Sequence, residues 1–306
     1  MDGIPGRFGA VVTAMVTPFD PAGELDLDVA ANLARWLTGN GSDALVVAGT
    51  TGEAAVLTDA EKKDLWRAVS EAVSVPVIAG SGTNDTRHSL ELVTAAEEVG
   101  AAAVLAVTPY YNRPSQAGIE AHFRAIAEAT SLPVILYDIP SRTGRKVEQG
   151  TILRLAREVP NVAGLKDAGG NPGATARLLA EAPEAFEVYS GDDSLTLPLV
   201  AVGASGVIGV ATHWSGRVHS EMLTAYAKGD VDEARRLNAR LLESFQFETS
   251  DAAPNPIPTK AMMRVIGLPV GQCRLPMGPA PEGLEDQARL VLSNLGEAAP
   301  SLHGPS

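Results

Sequence analysis

Cysteine is nearly missing: Cys273 is the only one in 306 residues. No intrachain disulfide can form, and no CxxC or Cys/His cluster offers structural zinc a ligand set. A chain so poor in thiols suits a reducing compartment, and a cytoplasmic location is expected. Basic charge is also scarce, with 24 Lys plus Arg against 37 Asp plus Glu and a net charge of −13 at pH 7. Such a surface repels phosphate backbones and anionic lipid, so neither nucleic acid nor a membrane is expected as a partner. No uninterrupted apolar run reaches about 18 residues, the length a membrane span would need. The opening Met1-Asp2-Gly3-Ile4-Pro5-Gly6-Arg7 lacks the basic and apolar regions of a signal peptide. His88, His122, His213, His219 and His303 show no HExxH or other ligand spacing, so no metal is expected. Gly80-Ser81-Gly82 lacks the third glycine and the ribose-binding acid of a dinucleotide fingerprint.

What is present is ordinary globular material, 45% hydrophobic and 20% charged. Short β-branched runs alternate with amphipathic stretches up to about residue 210, the rhythm of βαβ units. The strand candidates are Ala10 to Val16, Ala44 to Ala48, Pro76 to Ala79, Ala103 to Val107, Pro133 to Tyr137, Val162 to Lys166, Phe186 to Ser190 and Gly206 to Val210. Between them Thr58-Asp59-Ala60-Glu61 reads as a capping box, with Leu65, Val69, Ala72 and Val73 as the apolar face behind it. Eight parallel units favour a closed α/β barrel, a (β/α)8 TIM barrel, over an open doubly wound sheet. After Trp214 only helices continue: Val218 to Ala227, Asp232 to Phe247, Thr259 to Ile266 and Leu284 to Leu295. The expected organisation is a barrel over 1–225 and a C-terminal helical extension over 226–306, with Pro254-Asn255-Pro256-Ile257-Pro258 as a rigid turn and a frayed end from Ala298.

In such a barrel the active site lies at the carboxyl ends of the strands, where several unusual residues fall. Lys166 ends a strand otherwise suited to complete burial. A buried lysine loses solvation, its pKa falls, and the neutral amine can attack a ketone to form a Schiff base. An ion pair with a rim acid is the plainer role for such a lysine. Thr50 and Thr51 stand between Gly49 and Gly52, where hydroxyls and amide N–H groups can hold a carboxylate, although an ordinary strand-to-helix turn has the same composition. Tyr137 could exchange a proton near the lysine, or simply pack at the rim. Arg142 offers a bidentate fork for a second carboxylate or for a surface ion pair. Asp192-Asp193 suits hydrogen bonding to the rim better than magnesium, since no further carboxylate motif follows.

Taken together these segments resemble the dihydrodipicolinate synthase and N-acetylneuraminate lyase superfamily of pyruvate-handling class I aldolases, and within it the dihydrodipicolinate synthase branch. The resemblance is carried by Gly49-Thr50-Thr51-Gly52-Glu53, the run TPYYNRPSQ from Thr108 to Gln116, LYDIPSRTG from Leu136 to Gly144, Gly164-Leu165-Lys166-Asp167, Ser190-Gly191-Asp192-Asp193 and Gly206-Val207-Ile208. It implies that Lys166 forms the Schiff base with pyruvate and that Thr50, Tyr111 and Tyr137 form a proton relay, Tyr111 being supplied to a neighbouring subunit. It further implies that Thr51 binds the pyruvate carboxylate, that Arg142 receives the carboxylate of L-aspartate 4-semialdehyde, and that Gly191 and the Ile208 carbonyl line the pyruvate end. The product would be 4-hydroxy-tetrahydrodipicolinate, formed without a cofactor by a homotetramer, a dimer of dimers.

The chain departs from the family pattern at several positions. Asp138 and Asp167 stand where many members carry Asn and Glu, and Gly169-Gly170 replaces the more usual Thr-Gly. His88 stands where lysine-inhibited members carry a glutamate for the effector's ammonium, and Asp59 and Lys62 stand where they often carry histidine. Weak or absent feedback by lysine is therefore expected, although Asn84 and Tyr110 are retained. Two rivals remain: a sialic acid or sugar-acid aldolase of the same superfamily, and a barrel that binds a ligand without chemistry. Arg142 argues against the first, and the joint presence of Lys166, Tyr137, Thr50 and Tyr111 against the second.

Overall fold

The computed structural model describes residues 6–296. The expected frayed end from Ala298 lies outside them. Eight parallel strands close into a barrel in the order β1-β2-β3-β4-β5-β6-β7-β8, with β1 paired to β8. They are β1 Val11–Ala14, β2 Ala44–Val47, β3 Val77–Gly80, β4 Ala103–Val107, β5 Val134–Asp138, β6 Val162–Asp167, β7 Glu187–Ser190 and β8 Gly206–Gly209. The helices between them are α1 Leu27–Gly39, α2 Asp59–Ala72, α3 Thr86–Glu98, α4 Gln116–Glu128, the short α5 Pro140–Thr143, α6 Gln149–Glu158, α7 Pro172–Glu181 and α8 Thr196–Ala201. The chain continues in α9 Thr212–Ala227, α10 Val231–Phe247, α11 Ile257–Ile266 and α12 Leu284–Leu295. Among the described residues no helix is long and apolar enough to cross a membrane.

Alternation along the strands sorts the core into two layers. Val12, Ala14, Val46, Ile78, Leu105, Ile135, Tyr137, Tyr189 and Ile208 fill the barrel interior. Val11, Leu45, Val47, Val104, Leu136 and Val188 face outward against the helices. The capping box at the start of α2 forms, Glu61 Oε2 accepting from the Thr58 backbone and the Thr58 hydroxyl accepting from the Glu61 N–H. The buried face of α2 differs from the expected one: Lys62, Leu65, Trp66 and Val69 point inward, while Ala72 and Val73 at its end are half-exposed. Trp66 has the larger surface to bury, and its indole N–H donates to the Val47 carbonyl at 3.1 Å, so it belongs inside.

One irregularity positions the chemistry. Val134 pairs with Val162, but Ile135 pairs with Gly164, so Ala163 is an extra residue in β6. Val162 and Leu165 both pack in the outer layer, three positions apart, which strict alternation forbids. The bulge resets the phase, and Lys166, paired with Tyr137, faces the barrel interior instead of the helices. Gly164 belongs to the same device, because a Cβ there would drive into the Glu187 carbonyl oxygen.

Candidate active site

The carboxyl ends of β2, β3, β4 and β5, together with the segments around Asn255 and Met277, enclose a cavity of about 330 Å³. Thr50, Tyr110, Tyr137, Arg142 and Asn255 all line it. Lys166, 4% exposed, packs against the lining, with Nζ 4.5 Å from the centre of the Tyr137 ring. Burial pushes the Lys166 ammonium down to about 8; Asp193 and Glu248 oppose the shift and Arg142 adds to it. Burial likewise pushes the Tyr137 phenol up to about 12, against an opposing hydrogen bond with Thr50. The pair is thus a lysine that gives up its proton more readily than a free one, beside a protonated phenol, suited to nucleophilic addition with local proton transfer.

Gly191 belongs at this spot because any larger residue would press on Lys166, whose Cγ and Cε lie about 3 Å from where a Cβ would stand. Ile208 lies in the interior layer on β8. The structure therefore brings Lys166, Tyr137, Thr50, Arg142 and Gly191 to one end of the barrel. It does not bring Tyr111 there. That side chain is 91% exposed, on a residue in left-handed backbone (φ 71°), and does not line the cavity.

Two carboxylates stand near the amine. Asp193, 1% exposed, accepts from the Val210 N–H (2.8 Å) and the Ala211 N–H (3.1 Å), the rim role expected of it. Glu248, one residue past α10, accepts from the same Ala211 N–H at 3.2 Å. Burial and the neighbouring Asp193 hold its carboxyl well above the usual range. Nothing in the spacing of the sequence pointed to Glu248.

The helical extension also grips the loop after β2. Glu53, in left-handed backbone at φ 57°, pairs with Lys260 of α11 at 2.6 Å, both side chains almost fully buried. The Arg274 N–H donates to the other Glu53 oxygen at 2.9 Å, and Lys260 Nζ lies 4.2 Å from the Phe19 ring centre. Cys273 is buried alongside and its thiol is pushed up to about 12, chiefly by burial.

The unusual residues around β5 and β6 form a unit. Asp138 accepts from Lys146 Nζ at 2.7 Å and from the Val147 N–H at 3.1 Å. A Cβ on Gly169 would stand only 2.4 Å from that ammonium, so glycine leaves room for the ion pair. Asp167 accepts from the Gly169 N–H (2.8 Å) and from Thr175 (2.6 Å). His88 Nε2 lies 2.9 Å from Asp59, and Lys62, 3.9 Å from the same carboxylate, is largely buried and lines the cavity.

The profile of the Dihydrodipicolinate synthetase family matches residues 7–295. A 4-hydroxy-tetrahydrodipicolinate synthase of Acidothermus cellulolyticus is 51% identical over 277 residues, covering 89% of this chain and 88% of its own. Another, of Moorella thermoacetica, is 48% identical over 294 residues, covering 95% and 99%. Among solved structures, that of the Cyanidioschyzon merolae enzyme with lysine bound superposes with a TM-score of 0.92 at 44% identity, over 94% of this chain and 98% of that one.

Proposed function

The chain belongs to the dihydrodipicolinate synthetase family, and from that premise we propose that Lys166 is the Schiff-base nucleophile in a condensation of pyruvate with L-aspartate 4-semialdehyde to 4-hydroxy-tetrahydrodipicolinate. The observation that carries this reading is the buried Lys166 ammonium, pushed down to about 8 beside Tyr137 at the carboxyl end of the barrel. At neutral pH an appreciable fraction is free amine, ready to add to C2 of pyruvate. Loss of the C2 hydroxyl as water gives an iminium, which acidifies the methyl group. Loss of one methyl proton gives the enamine, whose carbon adds to the aldehyde and whose electrons leave a new hydroxyl once protonated. The amine of the semialdehyde then closes on C2 and displaces Lys166, so the net reaction releases one water. The scheme needs neither metal nor organic cofactor.

Each remaining residue takes a part that its chemistry permits. Tyr137, Thr50 and Tyr111 of a neighbouring copy relay the protons. Thr51 holds the pyruvate carboxylate, and Gly191 and Ile208 bound that end of the pocket. Arg142, on the cavity wall, receives the carboxylate of the aldehyde. The exposure of Tyr111 leaves it free to meet a neighbouring copy, and the family likeness supports assembly as a homotetramer, a dimer of dimers, in the cytoplasm. Residues 1–225 would form the catalytic barrel and 226–306 the helical extension, the division falling near the end of α9. The pairing of His88 with Asp59 supports weak or absent feedback by lysine, because the imidazole offers no fixed negative charge to an ammonium.

An acceptor assay tests the reading. With pyruvate and L-aspartate 4-semialdehyde the enzyme should form a product one water lighter than their sum, read by mass spectrometry, and sub-millimolar lysine should leave the rate unchanged. Faster turnover with N-acetylmannosamine or glyceraldehyde would contradict the choice of aldehyde.

A further inference from the structure

Thr51 Oγ1 receives a hydrogen bond from Asn255 Nδ2 at 3.0 Å, across 204 positions of sequence. Asn255 comes from the turn ahead of α11, so the helical extension and not the barrel reaches the loop after β2. All four polar atoms of Asn255 are engaged. Its N–H donates to Thr249 Oγ1 at 3.3 Å, its Oδ1 accepts from Thr259 Oγ1 at 3.4 Å, and its carbonyl accepts from Arg142 Nη2 at 3.4 Å. The residue is 8% exposed and lines the cavity shared by Thr50, Tyr137 and Arg142.

The direction of the Asn255 to Thr51 bond matters. A hydroxyl has one proton to give and two lone pairs to receive with. Because the amide donates, the Thr51 proton is not spent on Asn255 and remains available to another acceptor. A carboxylate in the same place could only accept, and would take that proton. The Thr259 hydroxyl donates to Oδ1, so the amide oxygen has a partner without turning toward Thr51.

We propose that Asn255 is a positioning residue: it sets the Thr51 hydroxyl as a donor toward the pyruvate carboxylate and, through its carbonyl on Arg142, ties both carboxylate-binding positions to one turn of the helical extension. This rests on the reading of Thr51 as the pyruvate-carboxylate residue. It also gives a reason for a neutral amide here, since an acid would stand next to the binding places of two anionic substrates.

Steady-state kinetics on the full chain separate this role from packing. Aspartate has the shape of asparagine, whereas alanine leaves a void, so a packing role makes N255A the worse variant. Hydrogen-bond direction makes N255D the worse one. N255D should raise KM for pyruvate about 30-fold or more and N255A about 3- to 10-fold, with kcat changed less than KM in each. T51V alone should raise KM for pyruvate about tenfold, and adding N255A to T51V should cost less than about another twofold. Equal or greater damage from N255A than from N255D, or multiplicative losses in the double variant, would overturn the inference. An unchanged pyruvate KM in T51V would instead overturn the reading of Thr51. Should the Asn255 variants lose cooperative unfolding, T259V carries the test: freeing the amide to turn should raise KM for pyruvate about threefold, and no change would overturn the proposal.

Discussion

At the scale of single residues, the reactive character of Lys166 follows from where it is buried. Desolvation disfavours its ammonium, Asp193 and Glu248 partly restore it, and the balance near 8 leaves amine available at neutral pH. The rate of adduct formation with pyruvate should rise about tenfold per pH unit well below that value and level off above about pH 9, since only the free amine attacks. A profile flat from pH 6 to 9 would contradict the shifted lysine. Lys166, Thr50, Tyr137 and Arg142 were legible in the sequence because each follows or ends a strand whose carboxyl end a barrel turns toward one mouth. Asn255 and Glu248 were not, since their contacts with Thr51 and Ala211 cross 204 and 37 positions.

At the scale of elements, existence was easier to read than phase. The strands and three of the four late helices fall close to their expected spans, because apolar periodicity reports burial directly, whereas α9 begins at Thr212, six residues ahead of the expected Val218. The bulge at Ala163 left no such trace, as Val162 to Leu165 is small or apolar throughout and reads equally well in either phase. Yet the bulge is what turns Lys166 inward. Gly164→Ala should therefore be severe: the Glu187 carbonyl in its way is backbone and cannot swing aside. The variant should lose pyruvate adduct formation and about 2 kcal/mol or more of stability in urea unfolding. Wild-type adduct formation in Gly164→Ala would contradict the assigned phase of β6. The effect of Gly169 was also unreadable from sequence, since the room it leaves is filled by Lys146 reaching across to Asp138.

For the whole molecule, the net charge of −13 argues against phosphate-bearing partners but does not describe the site, where the two cationic side chains Lys166 and Arg142 stand with the carboxyls of Asp193 and Glu248. The same fold places histidines out of reach of water. His213 is fully buried and neutral, accepting from the Val16 N–H at 3.1 Å through Nε2 while Nδ1 lies 2.8 Å from the Val210 carbonyl. Burial pushes both His213 and His122 down to about 4, and His219 is lowered as well. Between pH 6.5 and about 4 the unfolded chain therefore binds protons at these histidines that the folded one refuses, so their share of the stability falls as pH drops through that window, while the raised carboxyls of Glu248 and Asp138 act in the opposite sense. The loss from His213 alone is on the order of 3 kcal/mol. The drop in urea midpoint from pH 7 to pH 5 should be smaller in His213→Gln than in the wild type, and an equal drop in the two would contradict this.

The claim that Lys166 is the nucleophile is tested most directly by trapping. Incubation with pyruvate followed by borohydride reduction and peptide mass spectrometry should show the reduced pyruvyl adduct on the peptide containing Lys166, and none in Lys166→Ala. An unmodified Lys166, or an adduct on another lysine, would contradict the account.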